Sequence, residues 1–230
     1  MASSFQTPRK TLIHSKSGLR IVATNEELKS PFIIPEPEWI SDTDVTNCSI
    51  CKVKFSFITR KHHCRRCGDI FCNTCCHQKL KLQRMCFIDP VRVCNICAPI
   101  TASENEFFDH HLKILTNGAT LVLESSKIIK TTSDVLQIKL ASDHKHLIFE
   151  GVSLAPLDIR SITYVEVVKD IGTDLWSVVI EFDMGMKTKL KLACAAELAN
   201  RKSGYSWMFA LNQNYSSNQE RIPCMAANKK

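Results

Sequence analysis

Four C-x2-C pairs, Cys48/Cys51, Cys64/Cys67, Cys72/Cys75 and Cys94/Cys97, fall within 50 residues of a 230-residue chain. Two intervening residues let both sulfurs of a pair reach one tetrahedral ion at about 2.3 Å, so each pair closes on a single metal. Eight thiolates therefore suit two closed structural zinc sites and leave no open coordination position for catalysis. Iron–sulfur ligation is the weaker alternative, because the regular pair spacing favours zinc. The intervals of 12, 4 and 18 residues between pairs admit two arrangements. The first pair can join the second and the third the fourth, or the sites can interleave, first with third and second with fourth. Cys76 and Cys86 fall outside the spacing and read as ordinary packed or exposed thiols.

These metals decide whether the segment folds at all. About 60 residues so rich in charge cannot rest on an apolar core alone, whereas a structural zinc contributes about 10 to 16 kcal/mol. Ten of the twelve cysteines lie between Cys48 and Cys97, which marks a separate module. The N-terminus, MASSFQTPRK, has no apolar stretch of signal-peptide length, and no run of about 18 apolar residues crosses a bilayer. The expected compartment is the reducing cytosol, where such cysteines serve as ligands rather than disulfides.

Charge is concentrated in the same module. Residues 1–38 carry 5 Lys/Arg and 4 Asp/Glu, residues 39–100 carry 10 and 4, and residues 101–230 carry 15 and 15. A four-thiolate zinc has a formal charge of about −2, so two sites would reduce the module's +6 to about +2. Local clustering then matters more than the total. It occurs at RKHHCRRCG, Arg60 to Gly68, where four cations and two histidines surround one cysteine pair. Such a cluster points to an anionic partner: a phospholipid headgroup, a nucleic acid or an acidic peptide.

The rest of the chain divides by composition and period. Residues 1–38, rich in Ser, Thr, Lys and Pro, read as a disordered N-terminal segment. The finger occupies 39–100. A linker helix over 101–118 is predicted from the Ser103/Glu106 capping box, the helical spacing of Phe108, Leu112 and Leu115, and the Asn117-Gly118 stop. From 119 to 218 the period becomes that of strands: Leu136, Ile138 and Leu140 alternate with polar residues, as do Leu190 and Leu192, and Val178, Ile180 and Phe182 share one period. ATLVLES, KHLIFE and SITYVEVV supply three more strands, and Gly204, Trp207, Met208, Leu211 and Tyr215 lie on one face of a closing helix. Six or more antiparallel strands plugged by one helix make an α+β unit, a small barrel or sandwich. It resembles the pleckstrin-homology fold, with Trp207 as the inward tryptophan. Residues 219–230 read as a flexible tail.

Three motifs around the cysteine pairs carry a second resemblance. WISD at Trp39–Asp42, RKHHCRRCG, and RVC at Arg92–Cys94 are similar to the WxxD, basic HHC and RVC signatures of FYVE zinc fingers. SGLRIV, SPF with EPEW, and RMCFIDPVRVC extend the likeness to most of the chain, within one branch of that family. The resemblance implies a cross-brace: Cys48, Cys51, Cys72 and Cys75 on one zinc, and Cys64, Cys67, Cys94 and Cys97 on the other. It implies phosphatidylinositol 3-phosphate as ligand and a non-enzymatic, cytoplasmic adaptor on endosomal membranes, linked with focal adhesions, their turnover and cell migration. By motif position Arg60, Lys61, His63, Arg65 and Arg92 would contact phosphate or inositol hydroxyls, with His62 binding or orienting, while Asp42 accepts from a hydroxyl. Lys61 stands where many members have arginine and so lacks the planar fork. Phe57 and Ile58 fall at the membrane-inserting loop tip, whereas Phe55 packs inside. Arg66 and Lys54 lie outside the signature and read as solvated or membrane-facing.

Two other classes fit less well. RING modules of ubiquitin transfer normally place a histidine among their ligands, and here all eight positions are cysteine. Nucleic-acid binding would need a basic recognition helix or an aromatic platform, and neither is visible. No catalytic triad or Gly-rich phosphate loop appears. His110, His111, His144 and His146 form no ligand cluster, and Lys127, Lys130 and Lys139 lack the arginine of a basic hairpin cluster. The second domain is therefore expected to bind protein or to serve structure.

Overall fold

The computed structural model describes residues 10–126, 134–152, 154–172, 175–194 and 198–219. They divide into two compact units, the first ending at Glu106 and the second beginning at Phe107.

Of the segment 1–38, expected to be disordered, residues 1–9 lie outside the described residues, and residues 10–28 instead carry regular structure. Lys10–Ser15 (β1) and Gly18–Ala23 (β2) form a hairpin. Its anchor is Arg20. The Arg20 guanidinium donates from Nε to the Met85 carbonyl at 2.7 Å, pairs with Glu36 at 2.5 Å and lies 5.5 Å over the Phe87 ring. Beyond β2 the ladder continues: the Ile21 amide donates to the Cys86 carbonyl, and the Ile88 amide to the Leu19 carbonyl. These partners lie some 65 residues away in sequence, so no local composition announces them. Glu36 also accepts from Ser17 and Ser15. Burial alone would raise its pKa, but the Ser17 and Arg20 hydrogen bonds and the Arg20 charge bring it below the usual value. A depressed carboxylate contributes stability that is present above its unfolded value, about 4.3, and is lost as pH falls through the folded value. Amide exchange in residues 10–23 should therefore accelerate selectively as pH is lowered below about 4, beyond the change in a Glu36→Gln variant.

The finger itself has little regular structure. His62–His63 (β3) pairs with Ile70–Phe71 (β4), and Gln78–Leu80 (β5) with Val91–Val93 (β6). Phe71, Leu82, Met85, Phe87 and Val93 are buried together with the cysteines. Gly68 makes the chain's reversal possible: its φ is +77°, and a Cβ there would sit 2.3 Å from the Glu38 carbonyl oxygen.

Cys97–Glu106 forms helix α1. It starts earlier than the sequence predicts because the last cysteine pair starts it. The Cys97 amide donates to Cys94 Sγ and the Ala98 amide to the Cys94 carbonyl, and Pro99 is tolerated in the first turn. Ser103 and Glu106 are thus interior to a helix, not a capping box. The buried carboxylate on this helix is Glu104, which takes a fork from Arg66 at 2.7 and 3.1 Å and a third bond from Arg84 at 2.9 Å. Arg66, expected to be solvated, is a core cation whose charge is compensated.

In the second unit a π turn over Phe107–His111 precedes α2, Leu112–Asn117. Seven strands follow: β7 (Ala119–Ser126), β8 (Val135–Leu140), β9 (His146–Glu150), β10 (Leu157–Asp158), β11 (Ile162–Lys169), β12 (Trp176–Asp183) and β13 (Lys187–Cys194). Their order, β10-β9-β8-β7-β13-β12-β11, is antiparallel throughout. Alternation puts Leu136, Ile138 and Leu140, Val178, Ile180 and Phe182, and Leu190 and Leu192 inside. Helix α3, Leu198–Gln219, covers this core. Trp207 is fully buried and its indole N–H donates to the Leu115 carbonyl at 3.2 Å. Gly204 lets helix and sheet approach, since a Cβ there would lie 3.0 Å from Leu121 Cδ2. This is a helix-plugged, pleckstrin-homology-like unit. Lys139 pairs with Glu150, whereas Lys127, Lys130 and the Tyr215 side chain lie outside the described residues.

Candidate metal centres and basic groove

Two clusters of four sulfurs form in the first unit. Cys48, Cys51, Cys72 and Cys75 make one, and Cys64, Cys67, Cys94 and Cys97 the other, with all sulfurs of a cluster within 4.8 Å of one another. The pairs interleave, first with third and second with fourth, as the family likeness implied. A tetrahedral ion with bonds of about 2.3 Å separates its ligand sulfurs by about 3.8 Å, and Cys51 and Cys72 stand 3.6 Å apart. The donor set, all thiol and mostly buried, fits two structural zinc ions.

Crowding redistributes the protons. Burial raises Cys48, but backbone hydrogen bonds from Cys72, Cys51 and Ile50 draw it down to about 7. Cys75 is pushed up to about 12 by burial and by the Cys51, Cys72 and Cys48 thiols. Cys64 is held far below the ordinary thiol range by hydrogen bonds from Cys67, Cys76, Cys94 and Cys97. Cys76, outside the pair spacing, is therefore a buried thiol packed against the second cluster, where its bond to Cys64 and its burial drive it upward. Zinc ligation removes the remaining ligand protons.

The basic side chains are fixed by these clusters. Interleaving draws the Cys64–Cys67 and Cys94–Cys97 knuckles together, and the Arg65 amide donates to the Arg92 carbonyl at 2.9 Å. Arg65 and Arg92 thus emerge side by side. The Arg65 guanidinium donates to the His63 carbonyl at 2.7 Å and lies 5.0 Å over the Trp39 ring. Arg92 donates to Asn73 Oδ1 at 3.0 Å and to the Cys76 carbonyl at 2.5 Å. His62 stands among Arg92, Arg65 and Arg60; burial first, then these three charges, push its pKa down. Three guanidinium groups therefore surround one imidazole, and among the described residues no carboxylate is bonded to Arg65 or Arg92.

His63 and Lys61, expected to contact the ligand, make contacts within the finger. His63 stacks on Trp39 at 4.6 Å between ring centres, and its Nε2 is 2.7 Å from the Ile40 carbonyl, with an Asp42 carboxylate oxygen 3.9 Å away. It ties the WISD segment to the basic strand β3. The Lys61 ammonium donates to the Asp42 backbone carbonyl and lies 5.6 Å over Phe55. Arg60 and the Asp42 carboxylate are exposed at the groove's margin. Trp39 and Asn73 escaped notice as supports, because stacking and a lone side-chain bond leave no spacing signal.

Phe57 and Ile58 are both 91% exposed, at a tip closed by the Ser56 amide donating to the Thr59 carbonyl. Phe55 packs on the finger core. Two large apolar side chains in open solvent are anomalous for a structural turn.

A cross-braced two-zinc finger carrying a basic groove, joined to a helix-plugged seven-strand unit, defines a modular zinc-finger protein. Residues 38–103 match the FYVE zinc finger, and residues 106–220 match the family described as zinc finger FYVE domain-containing protein 21 C-terminus. The chain belongs to this family of FYVE proteins. Zinc finger FYVE domain-containing protein 16 of Mus musculus is 48% identical over 62 residues, 27% of this chain and 4% of its own. Vacuolar protein sorting-associated protein 27 of Scheffersomyces stipitis is 36% identical over 107 residues, 46% of this chain and 14% of its own. This chain thus spans only a small part of those relatives. Among solved structures, a PH domain from TgAPH covers 52% of this chain and 99% of its own at 15% identity, with a TM-score of 0.34.

Proposed function

We propose that the chain is a non-enzymatic peripheral adaptor whose finger reads phosphatidylinositol 3-phosphate on endosomal membranes from the cytoplasmic side. The observation that carries this reading is the juxtaposition of Arg65 and Arg92, with His62 within reach of both charges, on backbones fixed by the second cysteine cluster. A monoester phosphate brings close to two negative charges, and preset guanidinium groups meet it with charge-assisted, partly bidentate bonds. Arg60 closes the groove's rim. His63 shapes it through Trp39 and Ile40, and Lys61 reaches the phosphate by leaving the Asp42 carbonyl. The Asp42 carboxylate accepts from a ring hydroxyl and disfavours a further phosphate there.

Membrane residence needs a second contribution. Phe57 and Ile58 insert beside the headgroup, adding about 1.5 to 3 kcal/mol for each side chain fully buried. Neighbouring Lys and Arg add roughly 1 kcal/mol each on an anionic leaflet. A yeast relative named for vacuolar protein sorting fits such a role, and no described helix is long and apolar enough to cross a membrane. A part in focal adhesion turnover and cell migration belongs to the same proposal, with the second unit as the protein-binding arm.

Vesicle binding with and without the 3-phosphate lipid tests the two contributions separately. Ile58→Ala should weaken retention by about tenfold, as truncation of an inserting side chain requires, while leaving the choice among phosphoinositides intact. Unchanged retention would make the loop a bystander.

A further inference from the structure

The β1–β2 hairpin has one edge unaccounted for. Ser15 and Gly18 close the turn as a mutually bonded pair, so by antiparallel alternation Ser15, Ile13 and Thr11 bond inward to Gly18, Arg20 and Val22. The other residues of each strand must then point outward. On β2 they do, and the bonds of Leu19 and Ile21 run to Ile88 and Cys86. On β1 the outward residues are Lys10, Leu12 and His14, and among the described residues nothing pairs with their backbone groups. The same alternation puts their side chains on one face, where Leu12 is 53% exposed beside its cross-strand neighbour Ile21 at 42%.

A free edge with an exposed apolar pair invites another strand. Charge selects which one. The first 25 residues hold four Lys/Arg and no Asp or Glu, and Arg20 is neutralised by Glu36. Lys10 is on the edge itself and Lys16 at the turn. A second copy pairing antiparallel about Leu12 would set Lys10 opposite His14 and double the cationic charge of one small sheet, which disfavours self-association.

We infer that β1 is a docking edge for an extended segment of another protein that carries apolar residues flanked, at two-residue spacing on the same face, by acidic ones. Such a segment extends the hairpin by one strand, exchanging backbone hydrogen bonds with Leu12 and His14. Its apolar side chains cover Leu12 and Ile21, and its carboxylates meet Lys10 and Lys16. The site is separate from the lipid groove and does not depend on it.

The test uses the zinc-loaded full chain and a labelled, end-capped peptide of sequence Glu-Thr-Val-Thr-Val-Thr-Glu, with Lys replacing Glu as the control. Binding of the acidic peptide, weakened by salt, and no binding of the basic one are expected. Leu12→Pro removes an outward amide that the hairpin does not use, so the fold of residues 10–23 persists by amide exchange while peptide affinity falls by about tenfold. Arg65→Ala should leave the affinity unchanged. The inference is overturned if the acidic peptide fails to bind, if Leu12→Pro binds it equally well, or if Arg65→Ala abolishes binding and so places the peptide in the lipid groove. It is also overturned if sedimentation shows the chain dimerising in a manner that Leu12→Pro prevents, which would make the occupant a second copy.

Discussion

Removing zinc with a strong chelator should unfold residues 10–106 while leaving the second unit folded. Seven of the fourteen buried residues of the finger's core are cysteines, and six of those belong to the two clusters. About 10 to 16 kcal/mol per structural zinc exceeds what that small core can supply. The second unit holds no cysteine cluster among its described residues, and its core of Leu, Ile, Val and Trp207 is apolar. Two-dimensional amide NMR before and after chelation should show resonances of the first unit collapsing to unfolded positions, while those of β7–β13 and α3 keep their dispersion. A Cys64→Ser substitution should do the same more locally, because the second cluster places both Arg65 and Arg92. Dispersion of the first unit surviving full zinc removal would mean that packing, not metal, holds the finger.

Arg65→Ala should reduce affinity for the 3-phosphate lipid by about a hundredfold, the equivalent of about 3 kcal/mol, as removal of one charged, desolvated hydrogen-bonding partner requires. Among the described residues its guanidinium is bonded to no carboxylate, being held by the His63 carbonyl and the Trp39 face, so it is open to a ligand. Truncation should leave zinc content and fold intact, because the Arg65 amide keeps its bond to the Arg92 carbonyl. Arg65→Lys should recover only part of the affinity, since an ammonium loses the planar fork. Isothermal titration with a short-chain headgroup lipid measures both variants without contribution from the inserting loop.

Much of this site could be read from the chain because metal chemistry is local: two residues between cysteines already state that one ion is shared. The pairing of pairs could not be read that way, since 12, 4 and 18 residues permit both connectivities, and only a family likeness chose between them. Strands β8, β12 and β13 were visible in alternation, whereas β10, two residues long, has no period to show. The misreadings share a cause in long-range partners. Arg66 looked like surplus surface charge until Glu104, 38 residues on, claimed it. The N-terminal hairpin looked too polar to fold, and it folds because Arg20 reaches Met85, Phe87 and Glu36. Helix α1 took its start from Cys94, a ligand doing the work of a cap, and so overrode the side-chain signal at Ser103. Within the groove, residue types were legible but their commitments were not. His63 serves the Trp39 strand, and Lys61 rests on Asp42.

Flotation of the zinc-loaded chain with liposomes that each carry one phosphoinositide, at matched surface charge, tests the central claim most directly. The arrangement of Arg65, Arg92 and His62 predicts strong co-flotation with phosphatidylinositol 3-phosphate and weak recovery with the 4- and 5-phosphates and with phosphatidylserine. Equal recovery on every anionic liposome would contradict it and reduce the groove to a basic surface without a headgroup preference.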